Sequence, residues 1–220
     1  MARFPFPAIA LSLLLAAPAA WAEDISKVNG SIEVSAGKAY GDLDTVNGGI
    51  SIGERAQTGD ASTVNGGIKV GAGARVGSLE TVNGAIRLER GVQTSGGIET
   101  VNGSIFVDRG STIGGGIETV NGAIGLVETQ VSGDIETVNG DVTVGIGSVV
   151  GGGITISRAS GWFQSTPRRK PRVVIGPRAV VHGPLEFERE VRLYVHRSAR
   201  TGKITGAEPV VFDTDTAPQD

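Results

Sequence analysis

Val64-Asn65-Gly66-Gly67-Ile68-Lys69-Val70 decides the fold, because its opening step recurs along the chain. Val-Asn-Gly occurs at Val28-Asn29-Gly30, Val46-Asn47-Gly48, Val64-Asn65-Gly66, Val82-Asn83-Gly84, Val101-Asn102-Gly103, Val120-Asn121-Gly122 and Val138-Asn139-Gly140. Successive valines are 18, 18, 18, 19, 19 and 18 residues apart. A period this short cannot enclose a domain of its own. It fits one coil of a solenoid, where each repeat buries its apolar side only by stacking on its neighbours.

Within the repeat, aliphatic residues return every six positions. One run is Val64, Val70, Val76, Val82, Leu88. Others are Val138, Val144, Val150, Ile156 and Ile175, Val181, Phe187, Leu193, Ala199. Three sixes predict an 18-residue coil with three short faces. The expected fold is all-β, a single-stranded parallel β-solenoid (β-helix) of about nine triangular coils. Alternation around Val64 predicts that residues 64, 68 and 70 point inward and that Asn65 and Lys69 point outward.

The columns beside the valines carry further expectations. Asn and Gly tolerate positive φ and suit a sharp corner. Stacked once per coil, Asn29, Asn47, Asn65, Asn83, Asn102, Asn121 and Asn139 form a structural ladder of hydrogen-bonded amides. Thr45, Thr63, Thr81, Thr100, Thr119 and Thr137 flank the inward valine and are expected outside. A flat outward Thr ladder is a device of ice-binding solenoids, but the second Thr column of such faces is missing. Glu80, Glu99, Glu118 and Glu136 follow Leu79, Ile98, Ile117 and Ile135. Burying four carboxylates is prohibitive. The strand parity is therefore expected to switch there, with the aliphatic residue inside and Glu at or beyond a corner. Like charges one strand apart, ~4.8 Å, repel. With no Asp-rich calcium nonapeptide, the column reads as a solvated acidic corner screened by salt rather than a cation site. The 19-residue spacings predict an extra loop residue after Leu88 and after Val107.

Composition narrows the rest. Gly is 35 of 220 residues, aromatics are 5%, and there is no Cys. Disulfides, thiolate metal sites and Cys nucleophiles are excluded together. Residues 1–22 read as a secretory signal: Arg3, an apolar run over 8–20, then Ala20-Trp21-Ala22 before cleavage at Glu23. The mature chain offers no other run able to cross a membrane. Residues 23–157 form the repeat solenoid and carry 8 basic and 16 acidic residues, net −8. Residues 158–220 carry 11 basic and 7 acidic, net +4. Within them, 158–172 read as a basic, Pro-containing loop, 173–212 as further coils continuing the stack, and 213–220 as a flexible tail. Trp162-Phe163 is expected to plug the side of the stack. Arg168, Arg169, Lys170 and Arg172 are candidate surface contacts for an anionic envelope component, against the plainer reading of a solvated linker.

Nothing in the pattern asks for catalysis. Hexapeptide acyltransferases need a catalytic His beside a cofactor groove. The two histidines, His182 and His196, lack a carboxylate partner that sequence identifies, and His196 is expected outside. An exported protein would also lack acyl-CoA. Sugar lyases and hydrolases on β-helices use longer coils and clustered Asp or Arg. No enzyme activity, cofactor, metal or nucleic acid is expected.

Units such as Glu99-Thr100-Val101-Asn102-Gly103-Ser104-Ile105-Phe106-Val107, with the leader and Gly-rich coils, resemble bacterial exported proteins with β-strand repeats that are classed as adhesins. Residues 175–206 also resemble bactofilins, the polymer-forming β-solenoid proteins. The resemblance implies an exported, non-enzymatic structural or adhesin-like element at the periplasm or cell surface of a bacterium. Its partner would be an envelope component. The alternative is a self-assembling filament subunit that stacks end to end through unpaired strand edges.

Overall fold

The computed structural model describes residues 23–158 and 169–219. The leader reading of residues 1–22, the Trp162-Phe163 plug and the contact residue Arg168 lie outside the described residues. Among the described residues there are strands and turns but no helix, and so none long and apolar enough to cross a membrane.

The strands build three parallel sheets. The first has ten strands, from Ile25–Asn29 to Ile204–Thr205. The second also has ten, from Ile32–Val34 to Pro209–Phe212. The third has seven two-residue strands, from Arg75–Val76 to Arg200–Thr201, and single bridges at Ala39, Gln57 and Arg75 extend it downward. Each strand pairs only with the coil below and the coil above. The molecule is thus a β-solenoid of about nine turns. Register is strict. Leu79, Glu80, Thr81 and Asn83 lie opposite Ile98, Glu99, Thr100 and Asn102, which lie opposite Ile117, Glu118, Thr119 and Asn121.

A representative coil sends Leu79 and Thr81 inward from the first sheet, Ile86 and Leu88 from the second, and Val92 and Thr94 from the third. These layers merge into one apolar column running from Ile32 to Leu193. The stack continues past the interruption. Val142-Thr143-Val144 pairs with Val173-Val174-Ile175, and Ile154-Thr155-Ile156 with Leu185-Glu186-Phe187. Between the first-sheet strand Ile154–Ile156 and the second-sheet strand Arg172–Ile175 the sequence therefore carries residues 157–171 where earlier coils carry Val-Asn-Gly.

Inside and outside differ from the expectation at the repeat motif itself. Val46, Val64, Val82 and Val101 are 36–41% exposed and Val28 is 68% exposed. Thr45, Thr63, Thr81, Thr100, Thr119 and Thr137 are buried. Leu79 in, Glu80 out, Thr81 in, Val82 out is unbroken alternation. The parity changes only at Asn-Gly, not beside Glu. The cause is a hydrogen bond. Five of the six Thr hydroxyls donate to the corner Gly carbonyl one coil below, Thr63 to Gly48 and Thr81 to Gly66 at 2.8 Å and Thr100 to Gly84 at 3.1 Å among them, while Thr137 Oγ1 accepts from the Gly140 N–H at 3.0 Å. A buried carbonyl without a donor is costly, and valine has none to give. An inward Thr column also removes the flat hydroxyl face that ice binding needs.

The corner glycine is required by close approach more than by its dihedrals. A Cβ on Gly84 would stand 1.9 Å from the Gly66 carbonyl oxygen, and one on Gly103 would stand 1.8 Å from that of Gly84. Positive φ is concentrated instead at the next corner, after the second sheet. Gly73, Gly91 and Gly110 adopt it there, and so do Arg55, Glu128 and Arg178. The extra residue of the longer coils lies one corner beyond the expected place. It falls between Thr94 and Ile98, and again between Ile113 and Ile117, at the turn from third sheet to first.

Candidate contact surface

The seven asparagines stand at the corner where the first sheet turns into the second. Asn47 Nδ2 donates to Asn29 Oδ1, and the same bond repeats up to Asn139 and Asn121, at 2.9–3.1 Å throughout. Every rung but the ends both donates and accepts. The valine ridge runs alongside. The corner thus presents an apolar stripe beside a rigid column of amides, each repeating once per coil.

Sequence reading missed what closes the ladder. Arg189 sits two coils above Asn139, between the strands Leu185–Phe187 and Arg192–His196. Its Nη1 donates to Asn139 Oδ1 at 2.7 Å and to the Val138 carbonyl at 2.9 Å. No repeat position anticipates this arginine.

Glu80, Glu99, Glu118 and Glu136 form an exposed in-register column on the outer side of the first sheet. Glu118 stands mid-column, and its carboxyl is held above the ordinary carboxylate range. Burial is the main cause, followed by repulsion from Glu136 and then Glu99. Among the described residues no group of three or more His, Cys, Asp or Glu is placed to hold a metal ion. Acidic residues also do structural work at the third corner. Asp24, Asp42 and Asp60 each accept from a backbone N–H of the coil above, at 2.9, 2.9 and 2.6 Å.

The basic segment is tied into its own molecule. Arg169 forms an ion pair with Asp141, and Lys170 one with Glu190 at 2.7 Å. The hydrogen bond and charge of Lys170 hold the exposed Glu190 carboxyl below its usual range. The Arg172 backbone N–H donates to Asp141 Oδ1 at 2.8 Å, and its guanidinium lies 5.0 Å from the Tyr194 ring centre. Arg172 Nη2 also donates to the Pro218 carbonyl at 2.6 Å, which holds residues 213–219 back against the second sheet. Asp141 is the organiser. It stands where the earlier repeats carry Ser31, Gly49, Gly67, Ala85, Ser104 and Ala123, and that departure was the available sequence signal.

The two histidines are not brought together as a site. His182 is exposed. His196, expected outside, is buried, edge-on to the Phe212 ring at 5.1 Å. Its Nδ1 accepts from the Ser198 backbone N–H at 3.1 Å and lies 2.8 Å from Ser198 Oγ. The ring is covered because Phe212, its register partner on the last strand, packs against it. On that strand Val210 is 54% and Val211 66% exposed. The register places Val211 opposite Val195, so it continues a core column with no coil above it. Compared with family models, with curated proteins and with solved structures, the chain matches none, and its surface alone carries the functional reading.

Proposed function

We propose that this protein is a non-enzymatic, exported structural or adhesin-like element of the bacterial cell envelope, acting through the side of a stiff rod. One observation carries the reading: pairing and core run in register through the whole stack, even across the interruption at 157–171. Such a stack holds its outer columns at fixed spacing, and a repeating surface can engage a repeating partner many times weakly. The ridge of Val46, Val64, Val82 and Val101 beside the Asn ladder is the contact stripe. The basic segment serves as a clasp instead, because Asp141 and Glu190 already answer Arg169 and Lys170.

Replacing Val64, Val82 and Val101 together with Ser tests this. The valines are partly exposed, so melting should change little. Retention on isolated envelope material should fall. Unchanged retention would remove the ridge from the reading. Cell fractionation tests the location, and a cytoplasmic pool alone would reject export.

A second reading is end-to-end self-association. The exposure of Val210 and Val211 on the last strand favours it, because an open strand edge with apolar side chains is a pairing template.

A further inference from the structure

The ladder places seven Asn-Gly steps on one corner, and Asn-Gly is the most reactive dipeptide toward deamidation. We infer that these steps are latent modification sites gated by the stack itself, with Asn29 the first to convert. The reaction needs no enzyme. The Gly backbone nitrogen forms a bond to Cγ of the preceding Asn, the bond from Cγ to Nδ2 breaks, and ammonia leaves with the amide proton. Water then opens the cyclic imide at either carbonyl, giving aspartate or isoaspartate.

Two features of the stack block the first step. The nucleophile is occupied at six of the seven steps: Gly30 N–H donates to the Asn47 carbonyl at 2.8 Å, Gly48 to Asn65 at 3.0 Å, Gly66 to Asn83 and Gly84 to Asn102 at 3.1 Å, Gly103 to Asn121 at 3.0 Å, and Gly140 to Thr137 Oγ1 at 3.0 Å. The Asn29 step is therefore set apart by its side chain and its terminal coil and not by its Gly N–H. The electrophile is also held, since each interior carboxamide donates down and accepts from above. At Asn47, Asn65, Asn83 and Asn102 attack needs the side chain to rotate over its own backbone, which breaks two ladder bonds and an inter-coil backbone bond at once. Conversion therefore waits for the coil to open.

Opening is not uniform along a solenoid. Each coil is held by its neighbours, so terminal coils open more often than central ones. Asn29 lies on the strand Ile25–Asn29, which pairs on one side only. Its Oδ1 accepts from Asn47, while among the described residues nothing accepts from its Nδ2. The other end is guarded, because Arg189 binds both Asn139 Oδ1 and the Val138 carbonyl. Reactivity should therefore fall from Asn29 toward Asn83. Conversion is also one-way for the fold. Isoaspartate lengthens the backbone and breaks the register, and an aspartate within the ladder has no N–H to donate.

The test is incubation of the full mature chain in mildly alkaline buffer, followed by peptide mass spectrometry for the gain of about one dalton at each site. In native buffer Asn29 should convert at least ~10-fold faster than Asn83, whereas in urea all seven should convert at similar rates. Equal native rates at Asn29 and Asn83 would overturn the gating, as would native rates equal to those in urea. Arg189→Ala supplies the second arm. Circular dichroism should stay unchanged, conversion at Asn139 should rise several-fold, and Asn83 should hold its rate. An unchanged Asn139 rate in a folded variant would overturn the role of the cap.

Discussion

At Thr100 a hydroxyl donates to the Gly84 carbonyl at 3.1 Å inside the stack, while the neighbouring Val101 is 41% exposed. The physical asymmetry between these neighbours is large. Thr100→Asp buries a carboxylate in the core column and removes a donor, at a cost of roughly 3–5 kcal/mol. Thr100→Val keeps the shape but orphans the Gly84 carbonyl, at about 1–2 kcal/mol. Val101→Ser should stay within about 0.5–1 kcal/mol. Urea melts of the three variants check the order, and a Val101→Ser loss as large as that of Thr100→Asp would reverse the assignment of inside and outside. The motif was legible as a period but not as an orientation. Hydropathy favours valine inside over threonine, and only the position of a backbone carbonyl one coil away says otherwise. That carbonyl is invisible in one repeat read alone.

The columns are the next scale. Equal spacing of Val-Asn-Gly made register readable in advance, because stacking identical repeats puts like over like. Glu99 over Glu80 and Asn102 over Asn83 follow from it. What repetition could not reveal were the exceptions: Asp141 and Arg189, each unique to one coil. Register also imposes repulsion. Glu118 has a raised carboxyl pKa in the fold, from burial first and then from Glu136 and Glu99. The native state thus holds that proton more tightly than the unfolded chain. Stability must then fall as pH rises from the unfolded value, about 4.3, through the raised native value, and level off above it. Glu118→Gln should melt higher than wild type at neutral pH. The gain should vanish below about pH 4, where both chains are neutral at this site, and shrink in high salt. A gain that persisted in acid would mean the effect is packing rather than charge.

The whole molecule is a rod whose two ends differ. Ten first-sheet strands set nine steps. At ~4.8 Å per step the stack is roughly 43 Å long. The lower end carries Lys27 opposite Thr45, at a register position that is buried one coil higher, and its exposed ammonium donates to the Ser31 carbonyl at 2.8 Å. A coil stacked beneath would have to strip water from it, which is a known way of closing a sheet edge to partners. The upper end offers the reverse, with Val211 in line with Val195 and largely exposed. If rods join, they join through upper ends, and the product is a pair rather than an endless filament. Electron microscopy or small-angle scattering at micromolar concentration should then find particles of one rod length or two. Val211→Asp should return all of them to one, without loss of the β-rich circular dichroism signal. Particles of many rod lengths would show that the lower end also stacks despite Lys27. A single length at every concentration would leave the side of the rod as the only contact surface.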